Sequence, residues 1–159
     1  MRSIQAGEEE NDMPDPSALC KITQATEMTD ELYQACQRLV PRLTHNNPPP
    51  TRDQLALMLS GGSSCLFIAQ RQEPGSTAIM GLATLALYRV PTGLRGIIED
   101  VIVDKNVRGR GIGEALTRAC LDFAQEAGCP QVMLSSNPGR QAANRLYQRM
   151  GFKLRNTNV

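Results

Sequence analysis

Ile98-Glu99-Asp100-Val101-Ile102-Val103-Asp104, then Lys105-Asn106-Val107, then Arg108-Gly109-Arg110-Gly111-Ile112-Gly113-Glu114-Ala115-Leu116 is the stretch from which the fold can be read. The run Gly96–Asp104 reads as a strand that is apolar on both faces except for two adjacent acids in its middle. Lys105–Gly111 reads as a loop. Beyond it Ile112, Ala115, Leu116, Ala119, Cys120, Phe123, Ala124 and Ala127 recur at helical spacing, and Gly128 stands where a helix takes its C′ glycine. Three glycines at alternating positions, set between a buried strand and a helix N-terminus, allow positive φ and leave bare N–H groups open to a bulky anion. The helix dipole and two arginines add positive charge. The physical reading is a pyrophosphate cradle. The competing reading, glycines that merely tighten a strand-to-helix turn, does not account for the arginines. The spacing Gly109-x-Gly111-x-Gly113 is neither the dinucleotide fingerprint nor a P-loop, and no Gly-Lys-Ser/Thr follows it.

Outward from this unit the elements fall into place. Gln131–Ser135 reads as the next strand, so residues 97–135 form a strand–helix–strand crossover whose two strands should be parallel neighbours. Asn137 and Pro138 are the expected N-cap and first residue of a last helix bearing Ala142, Ala143, Leu146, Tyr147 and Met150, ended by Gly151 and followed by a strand from Phe152. Upstream, residues 19–25 form a first strand. Thr29 or Asp30 caps a helix with Leu32, Cys36, Leu39, Val40 and Leu43 on one stripe, and Pro48-Pro49-Pro50 stops it. Thr51–Gln54 fits a capping box before Leu55, Met58 and Leu59. Cys65–Gln70 and Ile79–Tyr88 are strands, with turns at Arg71–Thr77 and Pro91–Gly93. Residues 1–17 are polar and acidic, without the apolar core of a secretory signal, and are expected to be a disordered leader before one domain over 18–159. The fold class is α/β (or α+β), with a mixed sheet and four helices.

Composition narrows the function. With 159 residues the chain is one domain's worth. Lys+Arg is 17 against Asp+Glu 16, so net charge does not make nucleic acid a default partner. No apolar run approaches the roughly 18–20 residues that span a bilayer. The cysteine count is odd at five, with no CxxC, which points to buried thiols in a reducing, cytoplasmic compartment. A single histidine, His45, leaves no multi-histidine metal site, and no metal is expected.

Arg108-Gly109-Arg110-Gly111-Ile112-Gly113 resembles the Arg/Gln-x-x-Gly-x-Gly/Ala motif of the GNAT superfamily of acyl-CoA-dependent N-acyltransferases, in particular bacterial members of unassigned substrate. The resemblance extends to Ile98–Val103, which looks like that family's fourth strand, and to Ala143-Asn144-Arg145-Leu146-Tyr147-Gln148-Arg149-Met150-Gly151-Phe152, which looks like its second signature. It covers residues 19–159 and implies a sheet of about six to seven strands. It implies acetyl-CoA as co-substrate and an amine as acceptor. Backbone groups of Val101, Ile102 and Val103 would meet the thioester and pantetheine arm. Amides from Arg108, Gly109, Arg110, Gly111, Ile112 and Gly113 would hold the pyrophosphate. Asn144 would contact the pantetheine or ribose-phosphate side, and Tyr147 would lie near the thioester sulfur. A homodimer covering the free edge at Phe152–Val159 is expected.

Acetyl transfer to an amine calls for a base, because an amine of pKa near 10 is mostly protonated at neutral pH. Glu99 is the candidate: a carboxylate inside an apolar strand is costly, and burial raises its pKa toward a useful base. Alternation puts Asp100 on the other face unless a bulge resets the phase, so Asp100 stays a second candidate. The competing reading for either acid is an ion pair with Arg89, Arg95 or Arg108. Tyr147 is the candidate acid for the departing thiolate. Its helical spacing alone reads as core, and the resemblance makes it functional. Cys36, Cys65 and Cys120 offer a covalent alternative, but no histidine stands beside them in sequence. His45 reads as a loop residue beside an acceptor wall. The function expected is direct N-acetyl transfer. The alternative is a CoA-binding sensor or scaffold without catalysis.

Overall fold

The computed structural model describes residues 15–155. In chain order the elements are α1 (Pro16–Leu19), β1 (Cys20–Ala25), α2 (Asp30–Leu39), α3 (Arg52–Ser60), β2 (Ser64–Arg71), β3 (Ile79–Val90), β4 (Gly93–Val103), α4 (Ile112–Glu126), β5 (Val132–Leu134) and α5 (Gln141–Arg149). Short 3₁₀ turns occupy Val40–Arg42 and Lys105–Val107. One mixed sheet runs in the order β1-β2-β3-β4-β5, antiparallel except for β4 against β5, which is the parallel pair the crossover demands.

Local signals explain most of these elements. Thr29 caps α2 by accepting from the Leu32 amide at 3.2 Å. The capping box of α3 is complete: Thr51 accepts from the Gln54 amide, and the Gln54 side chain accepts from the Thr51 amide at 2.9 Å. Gly128, at φ 75, closes α4 as its C′ residue, with Cys129 N–H returned to Ala124 O at 2.8 Å. The sheet is covered on both faces. On one, α4 packs Leu116, Cys120 and Ala124 onto Phe67, Leu85 and Ile98. On the other, Leu32, Leu39 and Leu55 pack onto Leu66, Leu82 and Ile102. The approach of α4 is close at Gly81, where a β carbon would fall 3.0 Å from Ile102 O and from Leu116 Cδ1.

Four expectations are corrected. The described residues hold five α-helices and five strands, against four helices and about six to seven strands. The extra helix is α1, nucleated by Asp15, whose side chain accepts from the Ser17 amide, with Pro16 as first residue. Pro16 and Ser17 thus belong to a helix and not to the expected leader, the rest of which, residues 1–14, lies outside the described residues. The last helix begins at Gln141 rather than at Pro138, because the Asn137 side chain accepts from Gly139 N–H at 2.8 Å and folds residues 137–140 into a turn. No strand forms over residues 152–155. Phe152 N–H returns to Tyr147 O at 3.0 Å around Gly151, at φ 93, so this segment closes α5 instead of pairing with the sheet. The remainder of that expected strand lies outside the described residues.

Candidate functional site

β4 carries an irregularity where the two acids stand. Thr84 pairs with Glu99, but Leu82 pairs with Ile102, so β4 has one residue more than β3 across this step. Asp100 has φ 52, the only positive φ among described non-glycine residues. The inserted residue reverses the alternation. Ile98 packs toward α4, Glu99 turns to the opposite face, and after the bulge Val101 and Val103 turn to the α4 side while Ile102 packs against α2 and α3.

The second feature is a splay. β5 pairs with β4 only from Gly96 to Ile98, and β4 then runs on to Val103 with no described strand on that side. The gap opens into a cleft of about 730 Å³ between the end of β4, the start of α4 and α5. At its floor the glycine loop behaves as the sequence suggests. Gly109 and Gly111 have φ 75 and 77, in the left-handed region. Gly111 is the N-cap of α4 and no side chain caps it, so the first amides of α4 face an anion site without a protein partner. The side chain of Pro16 rests on Gly111, where a β carbon would lie 3.4 Å from its Cγ.

Of the candidate residues, Val101, Val103, Arg108, Gly109, Gly111 and Ile112 line this cleft. So do Gly113 and Tyr147. Arg110 is exposed and does not line it. Ile102 contributes no side chain, being buried on the other face. The Arg108 Nε donates to Val103 O at 3.2 Å, tying the loop to the strand it leaves. Asn144 does not line the cleft. Its amide donates to Asn137 O at 3.1 Å and Pro138 O at 3.4 Å, bracing the turn before α5. Tyr147 is buried, with its ring edge-on to Phe152 at 6.0 Å. Burial pushes its hydroxyl pKa up, and the Arg140 cation pulls the other way.

Glu99 departs from expectation. It is exposed, as is Asp100, so the burial on which its candidacy rests is absent. The physical reason is the short β5, which leaves this part of β4 at an open edge. Neither acid forms an ion pair with Arg89, Arg95 or Arg108. All five cysteines are buried, and burial pushes the thiols of Cys36 and Cys120 up to about 11 and about 12, which disfavours the thiolate a covalent route needs. His45 is exposed in the loop before α3. Among the described residues no group of three or more His, Cys, Asp or Glu is arranged to hold a metal, and no helix is long and apolar enough to cross a membrane.

Sequence reasoning missed the cationic wall. Arg140, Arg145 and Arg149 line the cleft from the α5 side, and no described carboxylate pairs with them. The spacing of Arg145 and Arg149, four apart on one helix, was the available signal.

The chain is 36% identical over 97 residues to the probable glucosamine 6-phosphate N-acetyltransferase 2 of Oryza sativa subsp. japonica, covering 58% of this chain and 55% of that protein. It is 38% identical over 61 residues to N-alpha-acetyltransferase 30 of Schizosaccharomyces pombe, covering 38% of this chain and 41% of that one. These matches thus span about half the length of the relatives or less. The crystal structure of a Trypanosoma brucei acetyltransferase superposes with a TM-score of 0.71 at 25% identity, over 88% of this chain and 96% of that one. The sequence profile of the acetyltransferase (GNAT) family matches residues 26–152, from just after β1 to the residue that closes α5, and with every element of the cleft inside those bounds the chain belongs to that family.

Proposed function

We propose that this protein moves an acetyl group from acetyl-CoA to a primary amine of a small molecule or peptide by direct transfer in a ternary complex. The observation that carries the reading is the splay of β4 from β5 above an uncapped α4 N-terminus. A pyrophosphate fits the amides of residues 108–113, where two left-handed glycines and the helix dipole favour an anion and Arg108 adds charge. The pantetheine arm would run along the unpaired edge of β4, against backbone groups of Val101, Ile102 and Val103. Acetyl-CoA supplies the activated acyl group.

The remaining roles fall to this chain's own residues. Glu99 and Tyr147 belong to opposite sides of β4, and the open edge is what would let an amine on one side meet a thioester on the other. Glu99, or Asp100 beside it, would take the amine's proton. A backbone N–H near Val101 would polarise the thioester carbonyl. Tyr147 would give its proton to the departing sulfur and recover it from solvent. Asn144 would act by holding the turn before α5. A homodimer and a cytoplasmic setting complete the reading.

The test is thiol release from acetyl-CoA with glucosamine 6-phosphate, a short peptide with a free α-amine and a broad set of primary amines. Turnover with any of them supports transfer. Binding of CoA without turnover across the whole set would instead mark a CoA-binding module that has lost catalysis.

A further inference from the structure

The geometry points to Arg140 as a positioning residue for Tyr147, an inference that rests on the proposed role of that phenol. Arg140 is the N-cap residue of α5, at φ −84 and ψ 61, and belongs to the turn rather than the helix. Its guanidinium reaches across the cleft, and Nη2 donates to Val101 O at 3.3 Å, on the residue after the bulge. The turn that carries it is closed on itself: Arg140 N–H donates to Asn137 O at 2.9 Å, and Asn144 N–H donates to Arg140 O at 2.9 Å. A cation is thus held between a braced turn and the bulged strand, in the cleft that Tyr147 also lines.

No described carboxylate neutralises Arg140. The other charged groups on the cleft are Arg108 from the loop, Glu114 from α4, and Arg145 and Arg149 from α5. Glu114 is paired with Arg118 at 3.1 Å, and Arg108 donates to Val103 O. Of all these, Arg140 is the one whose charge acts on the Tyr147 hydroxyl, easing the loss of a proton that burial resists. In the transfer, the new C–N bond forms as the C–S bond breaks, and the proton on Tyr147 Oη passes to sulfur. The negative charge then left on the phenol oxygen would be countered by the Arg140 cation until solvent returns a proton.

The test needs no knowledge of the acceptor. Tyrosinate absorbance at 295 nm is followed from pH 8 to alkaline pH in the intact protein and in Arg140→Gln and Arg140→Lys, each with and without Tyr147→Phe, so that differences isolate Tyr147. Arg140→Gln is expected to move the Tyr147 midpoint to higher pH by roughly half a unit to one unit, since removing a cation disfavours the phenolate, while Arg140→Lys keeps it. An unmoved midpoint in Arg140→Gln overturns the proposal. At pH 7.5, with the responding amine of the acceptor set, Arg140→Gln should lower turnover about tenfold, keep acetyl-CoA affinity by calorimetry within about twofold, and have no further effect in Tyr147→Phe. Equal losses on both backgrounds would mean that Arg140 only holds the fold. If Tyr147→Phe alone leaves turnover unchanged, the phenol is not the acid and the proposed chemistry fails, while the titration still judges the Arg140–Tyr147 coupling by itself.

Discussion

Tyr147 shows how one residue serves both packing and chemistry. Its ring is buried against Phe152 and its hydroxyl belongs to the cleft wall. Tyr147→Phe keeps the packing and removes the proton donor, so turnover should fall by about 10²-fold, the low end for a general acid because a thiolate leaves readily. Acetyl-CoA affinity should hold. Steady-state kinetics paired with calorimetry decide this, and unchanged turnover with chemistry rate-limiting would reduce Tyr147 to a packing residue. The two adjacent acids separate in the same way. Asp100 sits in the left-handed region, where glycine is comfortable and a β-branched side chain is not. Asp100→Gly should leave the melting temperature unchanged or slightly higher, and Asp100→Val should cost about 1–2 kcal/mol. If Glu99 is the base, Glu99→Gln abolishes most turnover and Asp100→Gly does not. The reverse outcome transfers the role to Asp100.

At the scale of elements, what could be read in advance was what is local. The glycine loop, the α4 stripe, the Thr51–Gln54 box and the Gly128 cap each depend on residues within a turn or two, and each is present. What escaped depends on distant partners. The exposure of Glu99 follows from β5 stopping at Leu134, and the start of α5 follows from an Asn137 turn braced by Asn144. Phe152 resembles a strand residue because it is aromatic and follows a glycine, yet its partner is Tyr147, five residues back. The face-to-face approach of α4 and β3 is equally invisible in sequence, since nothing local marks Gly81 as a contact point. Gly81→Val would press on Leu116 and on the Ile102 carbonyl. Overpacking of that kind costs about 1–3 kcal/mol, which in a domain of this size lowers the melting temperature by roughly 4–8 °C. A thermal scan without ligand checks it, and an unchanged midpoint would mean that α4 shifts freely.

For the whole molecule, ligand and fold are linked by mass action. Acetyl-CoA at about 100 times its dissociation constant should add about 2.7 kcal/mol to stability and raise the melting temperature accordingly. Gly111→Asp puts a carboxylate and an unfavourable φ in the cradle, so it should lose most of that rise. A full rise in the variant would move the pyrophosphate elsewhere. The free edge of β5 is expected to be covered by a second copy, and light scattering at micromolar concentration would contradict this by returning a single-chain mass. The contact of Pro16 with Gly111 has a practical side as well. Shortening the chain to begin at Cys20 strips one wall from the phosphate loop, and an affinity tag joined ahead of Pro16 leaves the protein beside that loop. Tag placement and N-terminal trimming are therefore changes to the coenzyme site, and activity lost in such a preparation does not implicate the residues of the cleft.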